Sequence, residues 1–420
     1  MKLVGKLIKW HRNKQKITQE QLAEGICSMT QLSKIENGQV QVNEELLVEI
    51  ANRLNIPEEK LVAPIDQEHY QMAEQLITAI HEYDIPTAQE LEAKLVNKRH
   101  DLLHYDLDFL CLLARFGYML LMKRLSEADQ LYETIMNYDE IFEETAPYSF
   151  HKFIGDYLIN KCLFFDAKSH LHKAERLLPD QEDPELYVLI AVANSHLENV
   201  LTSNQYARRA LRIFQEKLYY SRIIECEIIL ASNYTFVNEY QQAKEQLERI
   251  ESLIDHKFEK HSKVKINFHL SLINAMQNNY GEAIQLLKEN LETDVNETEL
   301  MHSRYLLAHT YYITDRFDEA LELIETGRTL AQAHQLNYYL IKFKSLKLVI
   351  EKKSEDLVDF LNKSALPFFK VTGQAFDLRY YYQLLGYTLY NMKKYKRAAE
   401  VLMVADEQRR RFLEYNIDKK

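Results

Sequence analysis

Apolar residues recur every three or four positions along most of the chain, which is the spacing of helices with one buried face. The helices predicted near the N-terminus are short. One begins at the chain start, a second is introduced by the capping-box pair Thr18 and Gln21, and a third runs from the cap Ser28 to a stop at Gly38. A fourth is expected after Asn43, so residues 1–63 should form a small helical core.

The remaining sequence predicts longer helices that come in pairs and repeat. A small residue at a fixed place in the second helix of each pair marks the repeat. Successive markers lie 36 to 40 residues apart, except for one gap of 78 residues. This gap is two repeat lengths, and it contains one degenerate unit near Asp359 that lacks a clear marker. The sequence therefore predicts nine helix–turn–helix units. Their markers are Ala88, Ala128, Ala167, Ala207, Ala243, Ala283, Ala320 and Ala398.

The composition favours helices throughout. With only 9 Gly and 7 Pro in 420 residues, the chain has few residues suited to tight β-turns, whereas its 46% hydrophobic content can fill a sizeable core. We expect an all-α protein with a small N-terminal domain over residues 1–63 and a repeat domain over residues 64–420.

Charge is divided unevenly between these two regions. Residues 1–40 contain seven Lys or Arg and three Glu, a net charge of +4, whereas the whole chain has a net charge of −11. The residues beyond 40 therefore carry −15. A basic N-terminal region (the head) followed by an acidic region (the body) is expected where only the head binds nucleic acid.

Several classes of function are disfavoured by missing motifs. The sequence has no phosphate-binding glycine loop, no zinc-protease motif and no nucleophile elbow, so neither an enzyme nor a cofactor is predicted. The four cysteines are far apart, which argues against a zinc site or a disulfide framework. No signal peptide or membrane-spanning run is found, and we expect a cytoplasmic protein with no membrane partner.

The segments TQEQLAE and LSKIENG resemble the Xre/Cro-type helix-turn-helix family over roughly residues 5–61. In this fold the third helix enters the major groove of DNA with its N-terminus first. Hydroxyl, amide and ammonium groups on that helix can reach base edges or phosphates. The resemblance implies that Gln19 buttresses this helix and touches phosphate. The candidate DNA-binding residues are Gln19, Ser28, Met29, Thr30, Gln31, Ser33, Lys34 and Asn37.

The repeats resemble tetratricopeptide repeats, which implies a right-handed superhelix with a concave inner face built from the first helix of each unit. Asparagines recur on those helices at Asn194, Asn233 and Asn274. An Asn side chain can pair with both the N–H and the C=O of a peptide backbone, so this ladder is a candidate peptide clamp. His309 and Tyr312 are further candidate contacts. Packing within the repeat is the alternative role for each of these five residues.

Together, the two regions resemble the peptide-pheromone receptors of Gram-positive bacteria, most closely the NprR subgroup, with phage lysis–lysogeny receptors as near relatives. The resemblance implies a quorum-sensing transcription regulator that binds operator DNA and a short imported peptide. The peptide is expected to alter oligomer geometry and DNA binding in a homodimer or a higher oligomer. Two alternatives remain open: a phosphorelay modulator that binds a response regulator, and a scaffold directed to DNA by its head.

Overall fold

The computed structural model describes residues 2–40, 42–57, 65–97, 104–142, 146–178, 182–251 and 260–417. Every regular element in these ranges is helical, so the predicted all-α class is confirmed. The chain divides into two units, unit 1 over residues 1–157 and unit 2 over residues 158–420. The predicted domain boundary between residues 63 and 64 lies outside the described ranges.

Unit 1 begins with the four predicted short helices: α1 (Lys2–Lys14), α2 (Gln19–Ala23), α3 (Met29–Glu36) and α4 (Glu44–Leu54). Their starts follow from local chemistry. Thr18 and Gln21 form a reciprocal capping box, and the side chains of Ser28 and Asn43 each accept a hydrogen bond from a backbone N–H in the first turn of their helix. Leu22, Leu32 and other apolar side chains of the four helices are fully buried.

A glycine brings the first helix unusually close to the third. A Cβ atom at Gly5 would lie 2.1 Å from the carbonyl oxygen of Ile35. Only glycine therefore permits this approach. The contact places α1 directly behind the C-terminal end of α3.

Nine helical hairpins follow in the described ranges, in agreement with the nine predicted units. Each pairs a first helix with an antiparallel second helix, and hairpin 8 has a π-helical turn over Leu361–Ala365. In order, hairpins 1 to 9 comprise α5 (Gln67–His81) and α6 (Ile85–Asn97), α7 (Tyr105–Leu121) and α8 (Leu125–Phe142), α9 (Tyr148–Asn160) and α10 (Phe164–Arg176), α11 (Pro184–His196) and α12 (Val200–Glu216), α13 (Tyr220–Phe236) and α14 (Tyr240–Glu251), α15 (Lys260–Met276) and α16 (Tyr280–Glu292), α17 (Met301–Ile313) and α18 (Phe317–Ala333), α19 (Asn337–Ile350) and α20–α21 (Ser354–Phe360 and Leu366–Thr372), and α22 (Ala375–Asn391) and α23 (Tyr395–Ile417).

The marker alanines all lie on second helices and are buried, as predicted. Two positions need correction. In seven hairpins the marker is the fourth residue of its helix, and in hairpin 4 that place is held by Ser203, one turn before Ala207. In hairpin 8 it is held by Leu357, two residues before Asp359. Ser203 fits because its hydroxyl donates a hydrogen bond to the Ala191 carbonyl at 2.8 Å.

Each hairpin turn contains one non-glycine residue with a left-handed backbone. This conformation lets the chain leave a helix while the last carbonyls stay hydrogen-bonded. The residues have φ between +54° and +64° and recur at the repeat period: Tyr83, Lys123, Cys162, Glu198, Asn238, Asn278, Asp315, Lys352 and Lys393. The turns are therefore as regular as the helices that they join.

Within the described ranges, none of the helices combines the length and the apolar character that crossing a membrane requires.

Candidate DNA interface and the first helices of unit 2

Helix α3 presents most of the predicted DNA-reading residues to solvent. Met29 is 54% exposed, and Thr30, Gln31 and Lys34 are exposed beside it. Leu32 points into the core and is fully buried. Met29, Thr30 and Gln31 occupy the first turn of the helix, which is the part that reaches bases in helix-turn-helix proteins, whereas Lys34 lies in the last turn.

Three other candidates in this helix have structural partners. The Ser28 hydroxyl accepts a hydrogen bond from the Gln31 N–H at 3.2 Å, which caps the helix. Ser33 is half-buried rather than fully exposed, because it lies beside Leu32 on the side that turns toward the core. The Asn37 side chain donates to the Ser33 carbonyl at 2.8 Å and closes the helix end. Contact of these residues with DNA stays a prediction.

A buried polar network holds α3 from behind. The Arg12 guanidinium donates to both carboxylate oxygens of Glu36, at 2.6 and 2.9 Å, and Arg12 and Glu36 are only 9% and 2% exposed. Arg12 also donates to the Ile17 carbonyl at 3.0 Å. Gln19 donates to the same Glu36 carboxylate at 2.7 Å. Gln19 thus contacts the C-terminal end of α3, as the resemblance implied for a buttress.

In unit 2, the side chain of Asn233 forms its hydrogen bonds with other residues of the chain. Its side-chain oxygen accepts from the Ser195 hydroxyl at 2.7 Å, and its amide nitrogen donates to Ser203 and Asn204, both at 2.8 Å. Asn233 is 1% exposed. In this structure the Asn233 side chain links hairpins 4 and 5, and its contact with a peptide stays a prediction.

The other two asparagines of the ladder differ from each other. Asn194 donates to the Ile190 carbonyl at 2.9 Å and accepts from Asn199 at 3.1 Å, so its amide is also used locally. Asn274 is 3% exposed, and its side-chain oxygen has no hydrogen-bond partner. Ala243 holds the marker position of the preceding hairpin, so the hydroxyl that Ser203 supplies to Asn233 is missing there. Asn274 is therefore the ladder member with an unused acceptor.

His309 and Tyr312 lie in an aromatic cluster formed by first helices. The His309 ring centroid lies 6.1 Å from that of Tyr305 and 6.2 Å from those of Tyr312 and Tyr380. Burial lowers the pKa of His309 to about 4, so its imidazole is neutral at physiological pH. His309 and Tyr312 are half-buried and belong to a wall that could pack an apolar side chain.

Next to this cluster is a charged network that sequence reasoning missed. The Lys342 ammonium donates to Asp377 at 2.9 Å and to the Tyr338 hydroxyl at 3.0 Å, while Tyr338 donates to the other Asp377 oxygen at 2.9 Å. The same ammonium lies 4.6 Å from the Tyr305 ring centroid. The sequence offered little signal for this pair, because the same two helices also carry Lys344, Lys347 and Arg379 and only the packing shows which charges are buried.

No group of three metal-ligating side chains is assembled in the parts of the chain that the structure describes.

Comparison with known proteins agrees with this architecture. Residues 8–61 match the helix-turn-helix family HTH_3. The crystal structure of NprR in complex with its cognate peptide NprX superposes with a TM-score of 0.67, covering 82% of this chain and 98% of that one, at 17% identity. This likeness establishes the fold of the repeats. The transcriptional activator NprA of Geobacillus stearothermophilus is 25% identical over 398 residues, covering 90% of this chain and 96% of that protein.

The chain is thus similar to NprR-like regulators in its helix-turn-helix head and in its repeat body. The predicted resemblance is thereby confirmed for the head and the repeat body together. A second relative is a protein of a different kind. The response regulator aspartate phosphatase I of Bacillus subtilis (strain 168) is 25% identical over 270 residues, which cover 61% of this chain and 69% of that protein.

Proposed function

We propose that this protein is a cytoplasmic transcription regulator that binds operator DNA through α3 and a short signalling peptide through the first helices of unit 2. One observation carries the proposal: α3 exposes Thr30, Gln31 and Lys34 while the Arg12–Glu36 pair anchors it from behind. A reading helix needs both properties, because its side chains must be free and its position must be fixed. The likeness to the activator NprA supports this role.

The peptide part of the proposal is supported by the related NprR, which was solved with its cognate peptide NprX. In this chain the aromatic cluster around His309 and Tyr312 offers an apolar wall. The unpaired oxygen of Asn274 is buried in this structure and becomes an acceptor for a peptide N–H when the first helices part to admit the ligand. We therefore expect Asn274 to contribute more to ligand binding than Asn194 or Asn233, whose amides are already used.

A library of heptapeptides tests this function on the full-length protein. Calorimetry should detect saturable, sequence-selective binding, and the same peptides should change affinity for an operator found by footprinting. Asn274→Ala should weaken binding of the selected peptide about tenfold, which corresponds to about one buried hydrogen bond. Asn362→Ala, at an exposed site on hairpin 8, is the control. If the library yields no binder while DNA binding persists, the receptor role is wrong and the DNA-binding role stands.

The active species is proposed to be a homodimer. Helix-turn-helix proteins read paired half-sites about one helical turn apart or at multiples of that distance. Footprinting should show two symmetric half-sites, and peptide should change their spacing or occupancy. A single asymmetric half-site would contradict the dimer.

A second candidate function is binding of a response regulator through the repeats. The likeness to a response regulator aspartate phosphatase favours it. Pull-down of purified response-regulator receiver domains by the full-length protein tests it. Binding that the selected peptide abolishes would add this activity to the proposed one, whereas absence of binding would remove it.

A further inference from the structure

Hydrogen bonds between the hairpins of unit 2 mostly join neighbours. Arg222 of hairpin 5, for example, pairs with Glu185 of hairpin 4. Glu198 and Arg379 are a clear exception, since they are 181 positions apart in the sequence. Glu198 lies in the turn of hairpin 4, and Arg379 lies in the first helix of hairpin 9.

The contact between these two side chains is close and buried. The Arg379 guanidinium donates to both Glu198 carboxylate oxygens, at 2.5 and 2.6 Å. The Glu198 side chain is 2% exposed and that of Arg379 is 17% exposed. This two-point geometry is the strongest form of a carboxylate–guanidinium contact.

Further contacts join the same regions on either side of this pair. The Gln374 amide donates to the Cys162 carbonyl, in the turn of hairpin 3, at 2.8 Å. Gly373, whose φ is +74°, lies against Leu197 and Phe165, and a Cβ atom there would be 3.1 Å from each. The turns of hairpins 3 and 4 therefore meet the segment that begins hairpin 9.

We propose that Glu198 and Arg379 form a latch that closes unit 2 upon itself, and that a peptide can enter or leave only when the latch opens. The gating half of this proposal rests on the proposed function. A buried ion pair suits such a device, because it adds little net stability when formed but is costly to leave half-broken. The contact therefore favours two discrete states, formed and fully separated, over intermediate ones.

A peptide bound against the aromatic cluster could influence the Glu198–Arg379 latch through α22. Asp377 lies two residues before Arg379 on α22, and it holds Lys342 and Tyr338 beside the aromatic cluster of His309. A peptide packed against that cluster would press on α22. A small shift of this helix is then transmitted to Arg379, because side chains on one helix move together.

Hydrogen exchange on the ligand-free, full-length protein tests the latch itself. In Glu198→Gln and in Arg379→Gln, exchange at residues 160–165, 196–200 and 374–379 should accelerate at least about tenfold, or 1.4 kcal/mol in the opening equilibrium. The exchanged pair Glu198→Arg with Arg379→Glu should recover much of the protection. Asp359→Asn removes an exposed ion pair with Lys363 (2.7 Å) and should have no effect. Unchanged exchange in both folded single variants would overturn the latch.

Spin labels on the exposed Leu201 and Lys393, each replaced by Cys, give a second readout that does not depend on global stability. Their distance distribution should gain a longer component in Glu198→Gln and lose it in the exchanged pair. A lengthened distribution that the exchanged pair fails to restore would indicate local unfolding rather than an opened latch, and would also overturn the proposal.

The gating half is tested with the tightest peptide from the heptapeptide library. Glu198→Gln should raise its association and dissociation rates together, by about tenfold or more, with a smaller change in affinity. Unchanged rates would show that the latch does not gate. If no peptide binds the unmodified protein, the proposed function and the gating half both fail, while the exchange measurement still decides whether the latch exists.

Discussion

Arg12 and Glu36 are 24 residues apart in sequence and form a two-point ion pair beneath the recognition helix. Because Glu36 is the last residue of α3, the pair fixes the C-terminal end of this helix, opposite the turn that carries Met29, Thr30 and Gln31. Gln19 adds a third donor to the same carboxylate. Residues from α1 and α2 therefore jointly set the orientation of α3.

Removal of Arg12 should unfold the head far more readily than removal of Gln19. Arg12→Ala leaves the Glu36 carboxylate buried without its counter-charge, which should cost about 3–5 kcal/mol. Gln19→Ala removes one hydrogen bond to a charged group, at about 1.5–3 kcal/mol. Chemical denaturation followed by Trp10 fluorescence measures both. Equal losses in the two variants would contradict a dominant role for the ion pair.

Side chains on the exposed face of α3 should determine DNA affinity without affecting stability. Thr30→Ala and Lys34→Ala should each weaken operator binding by about 1–3 kcal/mol if they contact bases, and Lys34→Ala should also reduce the salt dependence if it contacts phosphate. Lys217→Ala removes the same charge from an exposed helix end of unit 2 and serves as the control. Operator binding that is unchanged in the folded double variant would exclude α3 as the reading helix.

Asn233→Ala should destabilise unit 2, because it removes the acceptor of the buried Ser195 hydroxyl and the donor to the Asn204 side-chain oxygen. The expected loss is about 1–3 kcal/mol. Asn274→Ala should cost less, since it removes an acceptor that is already unpaired. Thermal unfolding of the two variants beside Asn362→Ala gives the comparison. A larger loss for Asn274→Ala would show that its side chain stabilises the fold.

Unit 2 should lose stability as the pH falls below about 6.5. Burial, reinforced by nearby positive groups, lowers the pKa of His302 to about 3 from an ordinary value of 6.5, and that of His269 to about 4. Between the folded and unfolded values the unfolded chain binds more protons, so acid favours unfolding in this range. Unfolding at pH 7 and pH 5 measures the effect, and His302→Gln should reduce it. A stability that rises toward pH 5 would contradict this assignment.

The period of the repeats could be read from the sequence because the close approach of two helices favours a small side chain, which eight of the nine described hairpins have at the marker position and only hairpin 8, with Leu357, lacks. In hairpin 4 the marker position holds Ser203 instead of the expected alanine. Ser203 fits there because its hydroxyl donates a hydrogen bond to a carbonyl. The partners of Asn233 could not be predicted, because they depend on how hairpins 4 and 5 are seated against each other. The caps of the head helices were predictable, since each lies within three residues of its partner.

The Glu198–Arg379 contact also has a consequence for how unit 2 folds. Each hairpin packs mainly on residues nearby in sequence, and such local structure forms quickly because little chain entropy is lost when a short loop closes. The two members of the ion pair are 181 positions apart, and the pair cannot form until hairpins 4 to 8 are stacked between them. During synthesis, the stack therefore stays open-ended until residue 379 has left the ribosome.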